Sequence, residues 1–558
     1  MKRLLLVLLC LFLSNVCLAQ EKSYEDKWFY ASFGLRSDED TDKLADLIRL
    51  AAKNDLNGML WACGIDYCGS WRETMKNRVA RIRKVAAEEK IEIIPIIWSV
   101  GYGTMLGRNP NLVEAIKLDP IPFRVQGNKA SFVPGPGLDY TNPGMEEYKK
   151  DKLVDWTQDS PGTISFVDTQ VKHSGNASVR FENFTHNKHG HGRLYKLFKL
   201  RPQAQFCVSM WYKTEELKGG NFMFQVYQAS GEPITSTHIS LPEDGTRDWT
   251  QVKLFFNSAK GDVRIYAGLW GGKKGKVWFD DLTLEEIGLV NPVRRDGTPF
   301  VVTNAKTKQT YVEGKDYTLP PFKLHVYGTD TKSIDLNIPK GSSIQDGTDL
   351  LVSYYQPGQI SNSQRSTCMS EPELYEHFKK SARAIVETLN PKKWFLSMDE
   401  IRAAGSCETC KKRGISLAAI LGDCITKQYQ IIKEVCPDAT VYIWSDMIDP
   451  NHNCHNNYYL CEGDYTGAWD LIPKDIVVSC WYHERREASM KFFSEKGFRT
   501  QGAAYYDTDT IDSCADWLET CNHTKNCTGI MYTTWQSKYA LLPAFGELVR
   551  QKSHPITP

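Results

Sequence analysis

Two adjacent carboxylates, Asp399 and Glu400, end the segment 393–400, which reads KWFLSMDE. The apolar part of this segment has the length of a buried strand and lies between two stretches with helical spacing, 371–389 and 402–436. Charged residues at the C-terminal end of such a strand lie where barrel enzymes keep their chemistry. Neighbouring residues of an extended strand point to opposite sides, so both carboxylates can share a pocket only if the strand ends there. The alternative is that one of them caps the following helix.

Aromatic and acidic residues also follow four later apolar segments. They are Trp444 with Asp446, Trp481 with Glu484, Tyr505 with Asp507, and Tyr532 with Trp535. A parallel barrel brings the C-terminal ends of its strands to one mouth, so these side chains and the Asp399–Glu400 pair would line a single pocket. Such a pocket suits hydrolysis of a glycosidic bond, which needs a proton donor, a charge that stabilises an oxocarbenium-like transition state, and flat walls for the sugar ring.

Apolar segments of strand length alternate with helical stretches over much of the chain. The barrel strands are predicted at 28–34, 58–63, 91–98, 393–398, 440–446, 476–481, 501–507 and 529–535. Eight strands that alternate with helices predict an α/β protein built on a (β/α)8 TIM barrel. A ninth strand-like segment, 350–355, is assigned to a position outside the barrel.

The alternation of strands and helices stops after the third strand. From about residue 155 to 286 no helical period appears, and short alternating segments predict a β-sandwich of jelly-roll type that interrupts the barrel. The predicted division is a signal peptide at 1–20, the first part of the barrel at 21–150, the inserted sandwich at 151–290, a linker or small β-subdomain at 291–345, and the remainder of the barrel at 346–558.

The N-terminal residues 1–20 have a basic start, an apolar run and a small-residue cleavage site. This pattern predicts a secretory signal peptide and therefore a secreted or periplasmic protein. Lipidation at Cys17 is the weaker alternative, because the residues before Cys17 fit a lipobox poorly. No other apolar run is long enough to span a bilayer.

Charge and cysteine content narrow the possible partners and ligands. The chain has 558 residues and a formal net charge of +1, which gives no electrostatic case for a nucleic-acid partner. Of its 16 cysteines, Cys10 and Cys17 lie in the signal peptide. Cys407 and Cys410 have the spacing of a redox or zinc motif, but no second such pair completes a zinc site. The cysteines are therefore interpreted as disulfide staples of loops or as buried thiols, and no metal ligand is predicted.

The segments that carry the carboxylates and aromatics resemble glycoside hydrolase family 20, the β-N-acetylhexosaminidases, and related retaining hexosaminidases. In that family a helix precedes a strand that ends in Asp-Glu, as CMSEPELY at 368–375 and WFLSMDE at 394–400 do here. The similarity covers the barrel and continues in the same strand order through 444–446, 478–481, 505–507 and Trp535. It implies a substrate-assisted retaining mechanism, in which the 2-acetamido oxygen of the substrate attacks the anomeric carbon.

The resemblance also implies a role for each matched residue. Glu400 would be the general acid and then the general base, for which a raised pKa is suitable. Asp399 would orient the acetamido nitrogen, and Tyr505 would hydrogen-bond the acetamido oxygen. The substrate-binding residues would be Trp444, Asp446, Trp481, Asp507, Tyr532 and Trp535.

The sequence differs from that family at positions that, in the family, contact the hydroxyl groups of the sugar. Ser397 and Met398 stand where glycines usually precede the carboxylate pair, and the first strand has no arginine before Arg36. Gln536 stands where a glutamate usually follows the last tryptophan. The identity of the sugar and the choice between exo- and endo-action are therefore open.

Two alternatives to a hexosaminidase remain. The first is a barrel glycosidase that uses a conventional pair of carboxylates, Glu400 with Asp446 or Glu484, on a glycan without the acetamido group. The second is a non-catalytic glycan-binding protein. The presence of both Asp399 and Glu400 argues against the second, because the loss of either would be expected in an inactive protein.

The predicted sandwich contains SGNASVR at 174–180 and VWFDDL at 277–282, and these resemble segments of the jelly-roll carbohydrate-binding modules of secreted glycosidases. In those modules a late aspartate often helps to hold a structural calcium ion, which makes Asp280 or Asp281 a candidate ligand. A spacer domain without a ligand is the alternative. No other cofactor is predicted, and the expected partner is an oligosaccharide or a glycoprotein glycan.

Overall fold

The fold is built around eight parallel strands that close into a barrel. The computed structural model describes residues 24–553 apart from 104–108, 323–331, 359–363 and the single positions 119, 136, 137, 139, 203, 232, 243, 259 and 506, so the predicted signal peptide lies outside the described residues. The barrel strands β1 to β8 are Asp26–Ser32, Gly58–Ala62, Glu92–Ile97, Lys393–Leu396, Thr440–Trp444, Val477–Cys480, Arg499–Tyr505 and Cys527–Thr533.

The prediction of a (β/α)8 TIM barrel is wrong, because helices do not alternate with all eight strands and make up only 26% of the structure. The chain between β5 and β6 forms 3₁₀ turns and the short strand Leu460–Cys461 instead of an α-helix. This segment contains Gly463 and Gly467 in the left-handed region and Pro473, which oppose a continuous helix. The helix content is low mainly because the segment inserted after β3 is almost entirely β-structure.

The helices pack outside the barrel strands. They are α1 Asp38–Lys53, α2 Glu73–Glu88, α3 Pro372–Leu389, α4 Glu408–Lys411, α5 Leu417–Val435, α6 Arg486–Glu495, α7 Asp512–His523 and α8 Leu542–Lys552. Helix α1 begins with a capping box, in which Ser37 accepts from the amide of Asp40 and the Asp40 side chain accepts from the amide of Ser37. Across the described residues, no helix combines the length and the apolar character that crossing a membrane requires.

The insertion contains two five-stranded antiparallel sheets that enclose one apolar core. The first sheet is formed, in spatial order, by Ser165–Asp168, Ser178–Phe181, Lys274–Glu286, Gln205–Lys218 and Gly245–Asn257. The second is formed by Pro233–Ser240, Asn221–Gln228, Val263–Trp270, Gly192–Phe198 and Thr157–Gln158. Two sheets packed face to face in this way are a β-sandwich.

A third β-unit joins chain segments from both sides of the sandwich. Its six strands, in spatial order, are Thr310–Tyr311, Val301–Asn304, Asp349–Ser353, Ile121–Gln126, Lys129–Phe132 and Leu336–Asn337. The strand-like segment at 350–355 therefore belongs to this sheet and not to the barrel. Residues 121–132 also contribute to this sheet, although the sequence analysis assigned them to the first part of the barrel. The remaining described strands form three two-stranded pairs: Ala115–Lys117 with Tyr355–Pro357, Ala403–Ala404 with Leu460–Cys461, and Tyr148–Lys149 with Lys152–Leu153.

The cysteines do not form the disulfide staples that the sequence suggested. All fourteen, from Cys63 to Cys527, carry free thiols, and ten of them are buried. Burial of a thiol needs no partner, since cysteine packs as a small apolar side chain.

An ion pair closes the end of the barrel opposite its mouth. The Lys393 ammonium lies 2.7 Å from Oδ1 of Asp26 and 3.5 Å from Oε2 of Glu92, and the Tyr442 hydroxyl donates to Oδ2 of Asp26 at 2.7 Å. Asp26 is fully buried. Since a buried carboxylate is stable only with partners, β1, β3, β4 and β5 are held together at this point.

Replacement of Lys393 by methionine is therefore expected to destabilise the protein. Lys393→Met leaves Asp26 buried without its cation, which costs about 3–5 kcal/mol of unfolding free energy. Chemical denaturation followed by tryptophan fluorescence measures this loss. Lys392→Met at the exposed neighbouring position is the control. Equal unfolding free energies for the two variants would show that the ion pair contributes nothing.

Candidate functional site

A cavity of about 470 Å³ opens at the C-terminal ends of the barrel strands. Its lining combines carboxylates with aromatic rings. The polar and aromatic residues that line it are Tyr30, Asp66, Ser99, Tyr102, Ser397, Asp399, Glu400, Trp444, Trp481 and Trp535. We call this cavity the mouth pocket.

Asp399 and Glu400 share the mouth pocket because β4 ends at Leu396, before either of them. The backbone of Glu400 is left-handed, with φ of +49°, so the two side chains are not constrained to opposite faces of a strand. Gly101 makes this turn possible. A Cβ atom at Gly101 would lie 1.9 Å from the carbonyl oxygen of Asp399 and 2.8 Å from that of Glu400.

The Glu400 carboxylate is held on both of its oxygens. Arg402 contacts Oε1 at 2.7 Å, and the hydroxyl of Tyr102 donates to Oε2. The side chain is only 19% exposed. The ion pair and the hydrogen bond together fix the position of the Glu400 carboxylate in the pocket.

Asp399 and Asp66 also line the pocket, and both have raised pKa values. Burial, opposed by the hydrogen bond from Ser397 Oγ at 2.8 Å, raises the pKa of Asp399 to about 6. Burial also raises the pKa of Asp66 to about 7, although the amide of Trp98 donates to its Oδ1 at 3.0 Å. The mouth pocket thus offers carboxyl groups that hold or release a proton near neutral pH, which is the property required of a general acid or base.

Asp446 lies behind the pocket wall and is fully buried. Its Oδ2 accepts from the amide of Glu400 at 2.8 Å and from Asn453 Nδ2 at 2.9 Å. Its Oδ1 accepts from the indole nitrogen of Trp481 at 3.3 Å. Burial and the charge of Asp399 raise the pKa of Asp446 to about 8. Asp446 therefore positions Glu400 and Trp481 and is not itself among the residues that line the cavity.

Three tryptophans give the mouth pocket its flat walls. Trp444 is buried against Phe395, with ring centroids 4.6 Å apart, and Trp535 lies 5.9 Å from Trp444. Trp535 is 44% exposed and packs on Tyr30 at 5.0 Å. Trp535 and Tyr102, which is equally exposed, are therefore the two aromatic surfaces of the pocket that are most accessible to a ligand.

The structure does not place Tyr505 and Tyr532, for which the resemblance implied roles in binding, among the residues that line the mouth pocket. Both are buried, and their rings stack on each other at 4.2 Å, with Tyr532 also against Phe545 of α8. Neither lines the cavity. The role of hydrogen-bonding an acetamido oxygen stays a prediction for Tyr505.

Asp507 and Glu484 also lie outside the cavity lining, but for different reasons. Asp507 accepts from the amides of Trp535 and Gln536 at 2.8 and 3.2 Å and from the hydroxyl of Thr534. It therefore fixes the turn that presents Trp535. Glu484 is exposed and does not line the cavity.

Sequence reasoning missed several residues of the site, among them Asp66, Tyr102 and Arg402. Each follows the end of a barrel strand by four to six residues, in the loops after β2, β3 and β4. The signal that could have found them is position, because loops after the C-terminal ends of parallel strands supply such pockets.

The sandwich carries a second aromatic surface on the outer face of its second sheet. Tyr195 and Tyr266 pair across neighbouring strands with ring centroids 4.6 Å apart, Tyr227 lies 5.5 Å from Tyr266, and Arg193 lies over the ring of Trp270. All these residues are half-buried. We call this surface the sandwich aromatic face. Partly exposed aromatic rings on a rigid sheet are suited to stacking on sugar rings.

The aspartates suggested for calcium, Asp280 and Asp281, lie in the first sheet of the sandwich. Oδ2 of Asp280 accepts from the amides of His173 and Ser174, and burial raises its pKa to about 7. Asp281 accepts from Ser174 Oγ at 2.9 Å and lies 2.6 Å from His173 Nδ1. These contacts give both aspartates a role in holding the loop at 173–174, and a calcium ion there stays a prediction.

The chain has limited similarity to known proteins. The chain matches no protein-family model and no curated protein. Among solved structures, TmCBM61 in complex with β-1,4-galactotriose is 18% identical, with 27% of this chain and 98% of that chain covered and a TM-score of 0.21. The CBM22-1 xylan-binding domain of Paenibacillus barcinonensis Xyn10C is 10% identical, with 26% and 90% covered and a TM-score of 0.20.

A putative sugar-binding protein from Bacteroides thetaiotaomicron is 11% identical, with 27% of this chain and 95% of that chain covered and a TM-score of 0.19. The neighbours thus include carbohydrate-binding modules, and each covers about a quarter of the chain. At TM-scores this low the likeness carries no argument about function. No match supports membership of glycoside hydrolase family 20.

Gly101→Ala is expected to displace the carboxylate pair. The added methyl group would overlap the backbone of Asp399, and such overpacking costs roughly 1–3 kcal/mol of unfolding free energy. Gly34→Ala is the matched control, since a Cβ atom there meets nothing within 4 Å. Denaturant titration of both variants measures the difference. Unchanged stability of Gly101→Ala would mean that the loop relaxes without cost.

The pH dependence of stability should contain a contribution from Asp66. Its folded pKa of about 7 lies above the ordinary value of 3.8, so its stabilising effect is complete below about pH 4 and is lost as the pH rises through 7. Asp66→Asn should therefore gain stability over the wild type across this window, by at most about 1.4 kcal/mol per pH unit.

Denaturation curves at several pH values test this expectation. Asp509→Asn at an exposed position is the control and should run parallel to the wild type. A constant difference between Asp66→Asn and the wild type at every pH would contradict the shifted pKa of Asp66.

Proposed function

We propose that this protein binds glycans in the mouth pocket. The observation that carries this proposal is the combination, in one cavity of about 470 Å³, of three tryptophans with two adjacent carboxylates. A pyranose ring has apolar faces, which suit aromatic walls, and a rim of hydroxyl groups, which suits carboxylate acceptors. The volume lies within the usual range for small-molecule sites.

The charge of the pocket restricts the glycans that it accepts. Glu400 pairs with the guanidinium of Arg402 and accepts from the hydroxyl of Tyr102, and Asp399 carries a proton only below about pH 6. Carboxylates that line the same cavity repel an acidic ligand. The preferred ligands are therefore neutral or N-acetylated sugars, not uronic or sialic acids.

Hydrolysis of the bound glycan is the second candidate function. The observation that favours it is the contrast between Glu400, which is paired with the guanidinium of Arg402, and Asp399, whose pKa is raised to about 6. A proton-bearing group beside an ionised one is the pairing that glycosidic cleavage uses. Asp399 would then donate the proton and Glu400 would stabilise the positive charge that develops on the sugar.

Substrate-assisted cleavage of an N-acetylhexosaminide is the more specific form of this second candidate. Since Tyr505 does not line the cavity, the groups at hand for the acetamido substituent are Asp399 and the hydroxyl of Tyr102. In this form the ionised Asp399 would accept from the acetamido N–H and Glu400 would donate the proton to the leaving oxygen, so the two carboxyl groups exchange the roles that they have in the conventional form. Inhibition by a thiazoline mimic of the cyclised intermediate separates this form from a conventional pair of carboxylates.

Binding is tested by titration calorimetry with a panel of neutral, N-acetylated and acidic oligosaccharides. Trp535→Ala should weaken binding by at least about tenfold, because it removes the exposed aromatic wall, and this corresponds to about 1.4 kcal/mol. Tyr266→Ala, on the sandwich aromatic face, is the control and should leave this affinity unchanged. Loss of binding in Tyr266→Ala alone would move the glycan site to the sandwich and refute the proposal for the pocket.

Hydrolysis is tested with aryl β-N-acetylglucosaminide, β-N-acetylgalactosaminide and the oligosaccharides that bind. If the pocket is catalytic, Asp399→Asn and Glu400→Gln should each lower kcat by roughly 10²–10⁴-fold while binding is retained. Binding without turnover by the wild type would establish the non-catalytic function. Turnover only of sugars without the acetamido group would exclude the substrate-assisted mechanism.

A further inference from the structure

Four potential metal ligands meet in the interior, beside the loop that follows β4. Their donor atoms are an oxygen of Glu114 and the Sγ atoms of Cys368, Cys407 and Cys410, and all of them lie within 4.8 Å of one another. All four side chains are at most 3% exposed. This is the one group of three or more such donors found within the described residues. It lies apart from the mouth pocket, whose lining includes none of the four.

We propose that Glu114, Cys368, Cys407 and Cys410 bind one Zn²⁺ ion with a structural role. Zinc prefers four tetrahedral ligands and accepts thiolate sulfur and carboxylate oxygen. The pair Cys407 and Cys410 supplies the common C-x₂-C half of such a site, and the sequence alone gave no second half. The fold supplies it from two distant segments, at Glu114 and Cys368.

The distances between donor atoms fit a tetrahedron around zinc. With Zn–S and Zn–O bonds of about 2.3 and 2.0 Å, tetrahedral geometry requires S···S separations of about 3.8 Å and S···O separations of about 3.5 Å. The Sγ atom of Cys368 lies 3.5 Å from that of Cys407 and 3.7 Å from that of Cys410. The Sγ atom of Cys410 lies 3.6 Å from Oε2 of Glu114.

The Glu114 carboxylate is oriented as a ligand that uses one oxygen. Its Oε1 accepts from the amides of Ser406 and Cys407 at 2.9 and 3.0 Å and from the Ser406 hydroxyl at 2.7 Å. These three donors leave Oε2 directed at the thiol group of Cys410. Hydrogen bonds that fix a ligand in this way are typical of protein metal sites.

A buried cation next to the cluster offsets part of its negative charge. Three thiolates and one carboxylate around Zn²⁺ carry a net charge of −2. Arg295 donates to the Sγ atom of Cys407 at 3.5 Å and to the carbonyl oxygen of Val113 at 2.6 Å, and it also pairs with Glu371. Because a metal site with excess charge needs such compensation when it is buried, this neighbour favours an anionic zinc centre over three neutral thiols.

Four protein ligands and full burial leave no open position for a substrate. Structural zinc sites are closed in this way, whereas catalytic sites keep one position for water. The metal would join three segments: 112–114 after β3, 366–368 before α3, and 403–410 after β4. The last of these begins three residues after Glu400, so the ion would stabilise the loop that carries the carboxylate pair.

The test is zinc stoichiometry, measured by inductively coupled plasma mass spectrometry on protein purified without a polyhistidine tag and under reducing conditions. The wild type should contain one zinc per chain, and Cys410→Ser and Cys368→Ser should each contain less than about a tenth of that. Cys424→Ser is the matched control, because Cys424 is equally buried but lies outside the cluster. It should retain its zinc.

A second measurement needs only the wild type and so covers the case in which the variants fail to fold. Titration with an organomercurial should release the zinc in step with the modification of three thiols, and refilling with Co²⁺ should give thiolate-to-cobalt charge-transfer absorption at one cobalt per chain. Wild-type protein that takes up neither metal would overturn the proposal. So would a disulfide between two of the three cysteines in freshly isolated protein, or zinc retained in Cys410→Ser.

Discussion

The mouth pocket depends on one hydrogen bond, from the amide of Glu400 to the buried carboxyl group of Asp446. This contact joins the loop after β4 to the end of β5 and holds Glu400 in a left-handed backbone conformation, which few residues other than glycine adopt. The same carboxyl group accepts from the indole of Trp481. One buried side chain thus fixes both an acidic group and an aromatic wall. Burial raises the pKa of Asp446 to about 8, and three N–H donors satisfy its two oxygens, so the buried group is not left without partners.

The carboxyl groups around the pocket avoid mutual repulsion by dividing the charge among them. Glu400 has a direct cationic partner, Arg402. Asp446 and Asp66 are desolvated and have pKa values of about 8 and 7, so they carry little or partial charge near neutrality. Asp399, with a pKa of about 6, is the group whose charge changes most easily when a ligand removes the remaining water. The pocket therefore combines one ion-paired carboxylate, Glu400, with two carboxyl groups, Asp399 and Asp66, whose charge can change near neutral pH, and this combination is consistent with both binding and hydrolysis.

Sequence reasoning located the pocket through short-range patterns and failed where tertiary geometry decided the outcome. The segment 393–400 and the tryptophans near strand ends were recognisable because apolar runs and polar ends are local features. The outward orientation of Tyr532 follows from strand alternation, since its neighbour Met531 faces the barrel interior. Tyr505 does not follow the alternation of side chains between the two faces of a strand, because the strand ends there with φ of +86°. The contacts of Tyr102 and Arg402 with Glu400 depend on loops, whose paths local patterns do not specify.

The insertion explains why additional contacts are concentrated next to the pocket. It separates β3 from β4 by almost 300 residues in the chain, and these two strands pair directly only at Phe395 with Ile96 and Leu396 with Ile97. Bringing distant segments together carries a loop-closure cost that local pairing must offset.

The cluster of Glu114 and the three cysteines lies at this junction, where the amide of Cys368 donates to the carbonyl oxygen of Leu112 and that of Glu114 to the carbonyl oxygen of Ser366. A crosslink there acts on the weakest pairing of the barrel. It also acts on the loop that positions Asp399 and Glu400, so the stability of the barrel and the geometry of the pocket depend on the same few contacts.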